Sequence, residues 1–334
     1  MAKIVLGIAT AHTPLFTLVA EDWQHRAAAD MANPRLNLSD GRWVSYEQLL
    51  AEVGPSYTEA ARPEELHCKA ALCDTALERL ADALEAAQPD VVVVVGDDQG
   101  ELFGAANQPA FAIYHNDQLV TSDAFGREGQ PAWVHAMGRG YLMDVRHTIP
   151  GHEALGLKLI TGLTDEGVDV ASVANCGEDG KAGVGHAFGF ISKRLFRGAN
   201  YPMVPLLLNT YYPPNVPGAA RCHDIGRALR RVLDADTSDL RVAIVASGGL
   251  SHFVVDEALD RRVMRALETG DPTELRAIPR AALNSGSSEI LNWVLVAGAV
   301  EGLAVQWSDY VALVRTPAGT GVGAGFVLWK PAEI

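Results

Sequence analysis

Cysteine is scarce in this sequence of 334 residues. Its four cysteines are widely spaced, and no two of them form the CxxC pair that is typical of zinc ribbons. Such usage indicates reduced thiols rather than a disulfide framework. We therefore expect structural cysteines at Cys68, Cys73, Cys176 and Cys222, and a cytoplasmic protein.

Positive charge is also scarce. The chain has 27 lysines and arginines against 41 aspartates and glutamates, which gives a formal net charge of -14. Binding to nucleic acid depends on clustered basic side chains, so we expect no nucleic-acid partner. An anionic small molecule is still compatible with this balance, because a few local basic groups suffice to hold it.

Long apolar runs are missing as well. A helix that spans a bilayer needs about 20 mostly apolar residues, and every apolar run here is clearly shorter. The first residues, MAKIVLGIATAHTP, contain an apolar run too short for a signal peptide and predict a first β-strand. We expect no contact with membranes.

What the sequence does contain is many short apolar, β-branched runs, and 48% of its residues are hydrophobic. The run Val91–Val95 shows no alternation of polar and apolar residues, as is typical of a strand buried on both faces. The runs predicted as strands are Lys3–Ala9, Val91–Val95, Ala110–Tyr114, Val168–Val173, Met203–Leu208, Arg241–Ala246 and Val322–Trp329.

Helical patterns lie between these runs. The predicted helices are His67–Gln88, Glu153–Thr164, Ala219–Leu233, Val255–Glu268 and Ser288–Ala299. Alternating strands and helices predict an α/β layered fold, with a central mixed or mainly parallel sheet flanked by helices. We expect residues 1–334 to form a single catalytic domain, and residues 15–62, which break the alternation, to be an insertion or lid.

Polar residues follow several of the predicted strands. His12 follows the first strand, the turn 97–99 (Asp-Asp-Gln) follows Val91–Val95, and Ser251 and His252 follow Arg241–Ala246. Functional groups of open α/β sheets gather beyond the carboxyl ends of strands. A lone histidine there is often structural, but two histidines with polar clusters favour a functional site.

Two further residues have simple structural interpretations. His186 is placed to begin a helix and cap its backbone, and Glu289 is placed in a first helical turn, where the helix dipole favours a carboxylate. Familiar nucleophile and nucleotide motifs are missing from the sequence, including GxSxG, the phosphate loop GxxxxGK[ST] and GxGxxG.

In their order, the motifs resemble those of the class III extradiol ring-cleavage dioxygenases. The motifs are His12, the turn 97–99, Asn-Thr-Tyr-Tyr-Pro-Pro at 209–214, Gly-Gly-Leu-Ser-His at 248–252 and Ser-Gly-Ser-Ser-Glu at 285–289. The branch they resemble most contains the catalytic subunit of protocatechuate 4,5-dioxygenase and the gallate and 3-O-methylgallate dioxygenases. The resemblance runs from the first strand to the last, except in residues 15–62.

The resemblance implies a non-haem iron(II) site with two histidines and one carboxylate, which leaves positions open for a catechol and dioxygen. It matches His12 with the first histidine ligand and Glu289 with the carboxylate ligand. It matches His252 with the acid/base histidine and His186 with a second histidine near the substrate. The implied activity is extradiol cleavage of the aromatic ring, as part of aromatic compound catabolism.

The second histidine ligand is where this sequence departs from the family, because Gln99 occupies its position. His67, in the first turn of a predicted helix, is the nearest alternative imidazole. We expect His67 to complete the metal site and Gln99 to contact the substrate or the ligands. A direct Gln99 ligand and a degenerate metal site are the alternatives.

Substrate contacts are expected from the polar turn after Met203–Leu208. Asn209, Tyr211 and Tyr212 are the candidates for orienting ring substituents, and Arg315 is a candidate for meeting a substrate carboxylate. The expected substrates are an aromatic compound such as protocatechuate, gallate or 3-O-methylgallate, together with dioxygen.

Two other functions remain open. One is a non-catalytic protein that binds small molecules on the same scaffold, and the other is a metal-dependent hydrolase that uses His12, His67 and Glu289. We also expect a homodimer, and no need for a separate small subunit because residues 15–62 can cover the site within one chain.

Overall fold

Five consecutive valines form the middle of the central sheet. They belong to the strand Val91–Asp97, and every residue of this strand is buried in the computed structural model, which describes residues 1–176 and 182–332. Valine favours extended backbone because its branched Cβ restricts the side chain. Burial on both faces explains why this segment has no polar alternation.

Within the described residues, eight strands form one sheet and two short antiparallel pairs, β2–β3 and β6–β7, lie outside it. The order across the large sheet is β11-β12-β1-β10-β4-β9-β5-β8. The strands are β1 (Lys3–Thr10), β2 (Leu36–Asn37), β3 (Trp43–Val44), β4 (Val91–Asp97), β5 (Phe111–Tyr114), β6 (Gln118–Val120), β7 (Thr148–Pro150), β8 (Ala171–Val173), β9 (Met203–Leu208), β10 (Arg241–Ser247), β11 (Leu303–Val314) and β12 (Gly321–Pro331).

The four adjacent strands β1, β10, β4 and β9 are parallel, so their carboxyl ends lie along one edge of the sheet. Antiparallel pairing joins β12 to β1, β11 to β12 and β5 to β9, which makes the sheet mixed. This shared edge is where the polar residues that follow the strands come together.

Helices cover both faces of the sheet, and two large apolar clusters fill the space on either side of it. No helix within the described ranges is both long and apolar enough to cross a bilayer. The helices are α1 (Trp23–Met31), α2 (Tyr46–Val53), α3 (Pro63–Ala87), α4 (Ala132–Gly140), α5 (Glu153–Asp165), α6 (His186–Arg194), α7 (Ala219–Ala235), α8 (Glu257–Thr269), α9 (Thr273–Arg276) and α10 (Ile290–Ala299).

Residues 15–62 contain α1, α2 and the β2–β3 pair, together with short 3-10 turns. Part of this segment has a small apolar core of its own, in which Leu36, Val44, Tyr46 and Leu49 pack with Ala318. Trp23 joins the segment to the main body, because its buried side chain packs in one of the two large apolar clusters. Its indole Nε1 donates a hydrogen bond of 3.0 Å to the carbonyl of Leu15 within the segment.

The predicted α/β layered fold with a mixed, mainly parallel sheet is confirmed. The strand Met203–Leu208 has the predicted bounds. The helix predicted over His67–Gln88 begins earlier, at Pro63, because proline is favoured at the first position of a helix and so acts as a start signal. Sequence patterns missed Leu303–Val314, a strand of 12 residues at the edge of the sheet. Its partly exposed residues 303–310 include Gln306 and Asp309, which interrupt the apolar pattern.

Candidate metal centre

Four buried side chains meet at the carboxyl edge of the parallel strands. They are His12, Asp97, His186 and Glu289, and one potential ligand atom from each lies within 4.8 Å of the others. His12 follows β1, Asp97 ends β4, and β10 lies between these two strands. The sheet therefore brings together residues that are far apart in the sequence.

The imidazole of His12 has a defined orientation and tautomer. Its Nδ1 lies 2.9 Å from Oγ of Ser247, whose hydroxyl donates a bond of 2.7 Å to the carbonyl of Ala187. Because the serine proton is used in that bond, Nδ1 of His12 must donate to Oγ. The lone pair of Nε2 then faces the cluster.

The Nε2 atom of His12 is buried and has no hydrogen-bond partner among the described residues. It lies 3.2 Å from Oε2 of Glu289 and 4.0 Å from Oδ1 of Asp97. A lone pair that faces carboxylate oxygens in a buried position is unfavourable unless a cation or a proton lies between them.

His186 is the first residue of α6 and is held by a carboxylate. Its Nδ1 lies 2.5 Å from Oε1 of Glu101, and its Nε2 lies 4.0 Å from Oδ2 of Asp97. A Cβ atom at Gly185 would lie 2.6 Å from the Glu101 carboxyl carbon, so the absence of a side chain there permits this contact. Burial opposes the charged imidazole, but Glu101 and the acidic neighbours outweigh it and raise the pKa of His186 to about 10.

Glu289 ends a 3-10 turn, Ser285–Glu289, directly before α10. Its Oε2 accepts a bond of 2.7 Å from the backbone N–H of Gly249, and its Oε1 lies 3.2 Å from Nε2 of His252. Burial alone would raise the pKa of Glu289. In their protonated forms, the imidazoles of His252 and His12 outweigh that effect by charge and hydrogen bonding and hold the pKa of Glu289 well below its usual range.

Asp97 is a member of the cluster that the sequence analysis named in the turn 97–99 but to which it gave no role. It is fully buried, and its Oδ1 accepts a long bond of 3.3 Å from Nδ2 of Asn292. Burial and the charge of Glu289 raise the pKa of Asp97. The available signal was its place as the first charged residue after the buried valine run, where an unpaired carboxylate is costly.

The Gln99 side chain enters the cluster through its amide nitrogen. Nε2 of Gln99 donates to Oδ2 of Asp97 at 3.0 Å and to Oε1 of Glu289 at 3.2 Å, and it lies 3.4 Å from Nε2 of His186. The amide NH₂ group therefore stabilises two carboxylates by donating hydrogen bonds to them. Gln99 contacts the cluster, as expected of a residue beside the ligands.

The expectation that His67 completes the cluster is wrong for this structure. His67 lies in the first turn of α3, but its side chain is 51% exposed. Its Nδ1 bonds to the carbonyl of Pro63 at 2.7 Å, and its Nε2 pairs with Glu21 at 3.0 Å. The imidazole of His67 is thus directed towards solvent and Glu21, away from the cluster. His186 supplies the second imidazole of the cluster.

His252 lies beside the cluster, in the loop after β10. The carbonyl of Leu250 accepts a bond of 2.8 Å from Nδ1, which leaves Nε2 facing Glu289. The ring fits between Gly249 and Gly286, since a Cβ at Gly286 would lie 2.0 Å from its Cδ2. Burial disfavours the charged imidazole, but the Glu289 carboxylate outweighs burial and raises the pKa of His252.

The cluster opens into a cavity of about 640 Å³. This volume suits an aromatic small molecule. His12, His186, His252, Glu289, Gln99 and Tyr211 line it on the polar side, and Leu102, Phe103, Phe125, Met137, Met143 and Val322 supply apolar wall.

The remaining predicted contacts have different locations. Tyr211 lines the cavity, whereas Asn209 is occupied in its own turn, where it bonds the backbone of Tyr212 and the side chain of Asn215. Tyr212 is 38% exposed and is not among the residues that line the cavity. Arg315 lines the cavity but pairs with the buried Asp30.

The four donors fit a divalent metal ion. Two imidazole nitrogens and two carboxylates form a donor set that suits iron and similar ions. Both imidazoles have Nδ1 bonded to a neighbour, Ser247 for His12 and Glu101 for His186, and both direct Nε2 at the cluster. Histidines that bind metals are commonly oriented in this way by a second hydrogen bond.

Comparison with known proteins gives one family match. Residues 51–326 match the family described as the catalytic LigB subunit of aromatic ring-opening dioxygenase. Gallate dioxygenase of Pseudomonas putida is 35% identical over 107 residues, which are 29% of this chain and 31% of that protein. A 2,3-dihydroxyphenylpropionate/2,3-dihydroxicinnamic acid 1,2-dioxygenase of Photorhabdus laumondii is 29% identical over 179 residues, 52% of this chain and 47% of that protein. The matches thus span less than half the length of either relative.

Proposed function

The chain belongs to the family of catalytic LigB subunits of aromatic ring-opening dioxygenases, and we propose that it opens the ring of a catechol-type compound with dioxygen. The observation that carries this proposal is the buried cluster of two imidazoles and two carboxylates at the base of an aromatic-sized cavity. The names of both relatives describe dioxygenases, and those names supply gallate and dihydroxyphenylpropionate as trial substrates.

We propose iron(II) as the metal, with His12, His186 and Glu289 as its ligands and Asp97 as an additional carboxylate beside them. Two histidines and one carboxylate are the donor set of many non-haem iron(II) oxygenases. When bound, iron(II) supplies open positions for the two ring oxygens and for dioxygen. Ser247 and Glu101 hold the two imidazoles in the tautomer that metal binding needs.

His252 is proposed as the acid/base group. Because its Nδ1 is bonded to the carbonyl of Leu250, Nε2 is the atom that exchanges a proton. Nε2 faces the cavity beside Oε1 of Glu289, where a second catechol hydroxyl would be deprotonated. A histidine can accept that proton and return it at a later step, since its ordinary pKa lies near neutrality.

The cavity walls determine how a ring is held. Phe103, Phe125, Met137 and Met143 provide apolar surface on which a flat ring can pack and from which water is excluded. Tyr211 is the polar side chain from the predicted turn that lines the cavity, so it is the proposed contact for a ring substituent.

An oxygen-uptake experiment tests the proposed activity. The purified chain is loaded with iron(II) without oxygen and mixed with protocatechuate, gallate, 3-O-methylgallate or 2,3-dihydroxyphenylpropionate. We expect oxygen consumption and loss of the ring absorbance with at least one compound, and oxygen consumption about 100-fold slower in His252→Ala. Iron binding without oxygen consumption on any ring compound would contradict the proposal and favour a binding protein.

We also propose that the chain needs no separate small subunit. Residues 15–62 bring Arg26 of α1 to the cavity wall, so one polypeptide can cover its own site. Full activity of the purified chain alone is expected, with a homodimer in size-exclusion chromatography. Activity that appears only after a second polypeptide is added would contradict the proposal.

A further inference from the structure

Three arginines line the cavity, and their surroundings differ. Arg315 is buried, and its Nε and Nη2 donate bonds of 2.9 and 2.7 Å to Oδ2 of the buried Asp30. Its charge is therefore compensated within the protein. Arg127 is exposed, in the loop before α4. Arg315 thus has a partner and Arg127 is exposed to solvent, so neither is a shielded cation without a partner.

Arg26 differs from both. It lies in α1, within residues 15–62, and is partly buried. Its Nε atom is shielded from solvent and has no hydrogen-bond partner among the described residues. A shielded N–H donor without a partner is costly, because it has lost water without gaining an acceptor. A ligand can therefore supply the hydrogen-bond acceptor that the guanidinium of Arg26 lacks.

The charge of Arg26 acts on other residues of the cavity wall. Burial raises the pKa of Tyr211 and of Tyr141 well above the usual range, and the positive charge of Arg26 opposes this in both. Burial lowers the pKa of Arg315, and repulsion from Arg26 adds to that shift. Arg26 and these three side chains all line the same cavity.

Charge is distributed unevenly around the cavity. The metal cluster supplies the carboxylates of Asp97 and Glu289, while Arg26 is a cation for which the described residues supply no ion pair. A ligand that is complementary to this cavity has metal-binding oxygens at one end and an anionic group at the other.

We propose that Arg26 binds the carboxylate of an aromatic acid and so selects acidic ring substrates over neutral ones. A planar guanidinium matches a planar carboxylate, and the two can form paired hydrogen bonds. This inference rests on the proposed function, because that function supplies the aromatic ring to which the carboxylate is attached. It assigns the choice of substrate to residues 15–62, outside the strand-end motifs that supply the cluster.

A pair of ligands that differ in charge tests this assignment. The probes are 4-hydroxybenzoate and 4-hydroxybenzamide, whose shapes are nearly equal, and their binding to the full chain is measured by calorimetry. The measured quantity is the ratio of the two dissociation constants. Effects shared by both proteins, such as repulsion from Asp97 and Glu289, cancel when this ratio is compared between wild type and variant.

Arg26→Met is expected to reduce the preference for the benzoate by about tenfold or more, the effect of losing a charged hydrogen bond. Arg26→Lys should retain part of the preference. The matched control is Arg35→Met, which removes a guanidinium of the same segment that lies over Trp43, 4.6 Å from the ring centroid. The control should keep the wild-type ratio.

Two results would overturn the proposal. One is an Arg26→Met ratio within about twofold of wild type, while binding of 4-hydroxybenzamide shows that the variant is folded. The other is wild-type protein that binds neither ligand, with or without metal. This binding experiment needs neither oxygen nor turnover. It can therefore succeed where the oxygen-uptake assay fails, and the oxygen-uptake assay can succeed where the binding experiment fails.

Discussion

The Nε2 atom of His12 lies 3.2 Å from Oε2 of Glu289, and within residues 1–176 and 182–332 no hydrogen bond satisfies it. Nδ1 of the same ring is bonded to Ser247, so the proton of the neutral imidazole is on the far side of the ring. The two facing atoms are then both acceptors in a buried position. A bound cation removes this conflict, which is the physical reason to treat the pair as the centre of a metal site.

The first prediction concerns which histidines bind the metal. His12→Ala, His186→Ala and Glu289→Gln should each weaken iron(II) or manganese(II) binding by roughly 100-fold, since even outer partners of metal ligands contribute roughly 10–100-fold. His67→Ala is the matched control and should bind as wild type does, because its imidazole is exposed and paired with Glu21. Calorimetry and metal analysis measure this. Loss of metal in His67→Ala would reverse the assignment.

Substitution of Gln99 is predicted to strengthen metal binding, in contrast to substitution of the proposed ligands. Its NH₂ group donates to Asp97 and Glu289, so an incoming cation must displace it. Gln99→Ala should therefore tighten metal binding by about tenfold, the loss of roughly one charged hydrogen bond. Gln130→Ala, which removes a similar bond to the carbonyl of Ala124 elsewhere, is the control. Weaker binding in Gln99→Ala would instead identify its amide oxygen as a ligand.

Substitution of Gly286, which packs against the His252 ring, tests whether the observed position of that ring is needed for activity. A Cβ at Gly286 would lie 2.0 Å from Cδ2 of His252, so Gly286→Ala must displace the imidazole. Metal content should stay near wild type while oxygen uptake falls by about 100-fold, the lower range for loss of an acid/base group. His252→Ala should behave in the same way. Gly286→Ala with normal turnover would show that the observed ring position is not needed.

Asp260 predicts a specific dependence of stability on pH. It accepts bonds from the backbone N–H and the hydroxyl of Ser251 and from Tyr310, yet burial outweighs these bonds and raises its pKa to about 6. Because the folded pKa lies above the unfolded one, near 3.9, folding favours the protonated form. Its contribution to stability is largest below about pH 4 and is lost as the pH rises through 6.

Urea unfolding of wild type and Asp260→Asn at pH 5 and pH 8 measures this. The free energy of unfolding of wild type relative to Asp260→Asn should fall by roughly 1–2 kcal/mol from the lower to the higher pH. The comparison isolates Asp260 because other titrating groups are common to both proteins. An equal difference at the two pH values would show that the pKa of Asp260 is not raised.

Much of the fold follows from local sequence patterns. A buried strand such as Met203–Leu208 needs apolar residues throughout, and the helix from Pro63 has its own start signal, so both can be recognised without tertiary information. The edge strand Leu303–Val314 could not be recognised in this way, since the pattern of a half-exposed strand depends on which neighbours cover it.

The site was predictable where residues directly follow strands. His12 and His252 were placed correctly near one edge because parallel strands share that edge. His67 was not, since a residue in a first helical turn can point in any direction around the helix axis, and its rotation is set by packing. From the sequence, Arg315 was a candidate for meeting a substrate carboxylate, and only the fold shows that it pairs with Asp30.

By itself, the sequence determined the layered α/β architecture, the edge of the sheet at which the chemistry lies and the family resemblance. These depend on periodicity and chain order, which are local properties. Only the tertiary structure decided that His186 and Asp97 join His12 and Glu289, and that Nε of Arg26 has no hydrogen-bond partner in the part of the chain that the structure describes. Such choices depend on distances between side chains remote in sequence, and those distances are set by packing the whole chain.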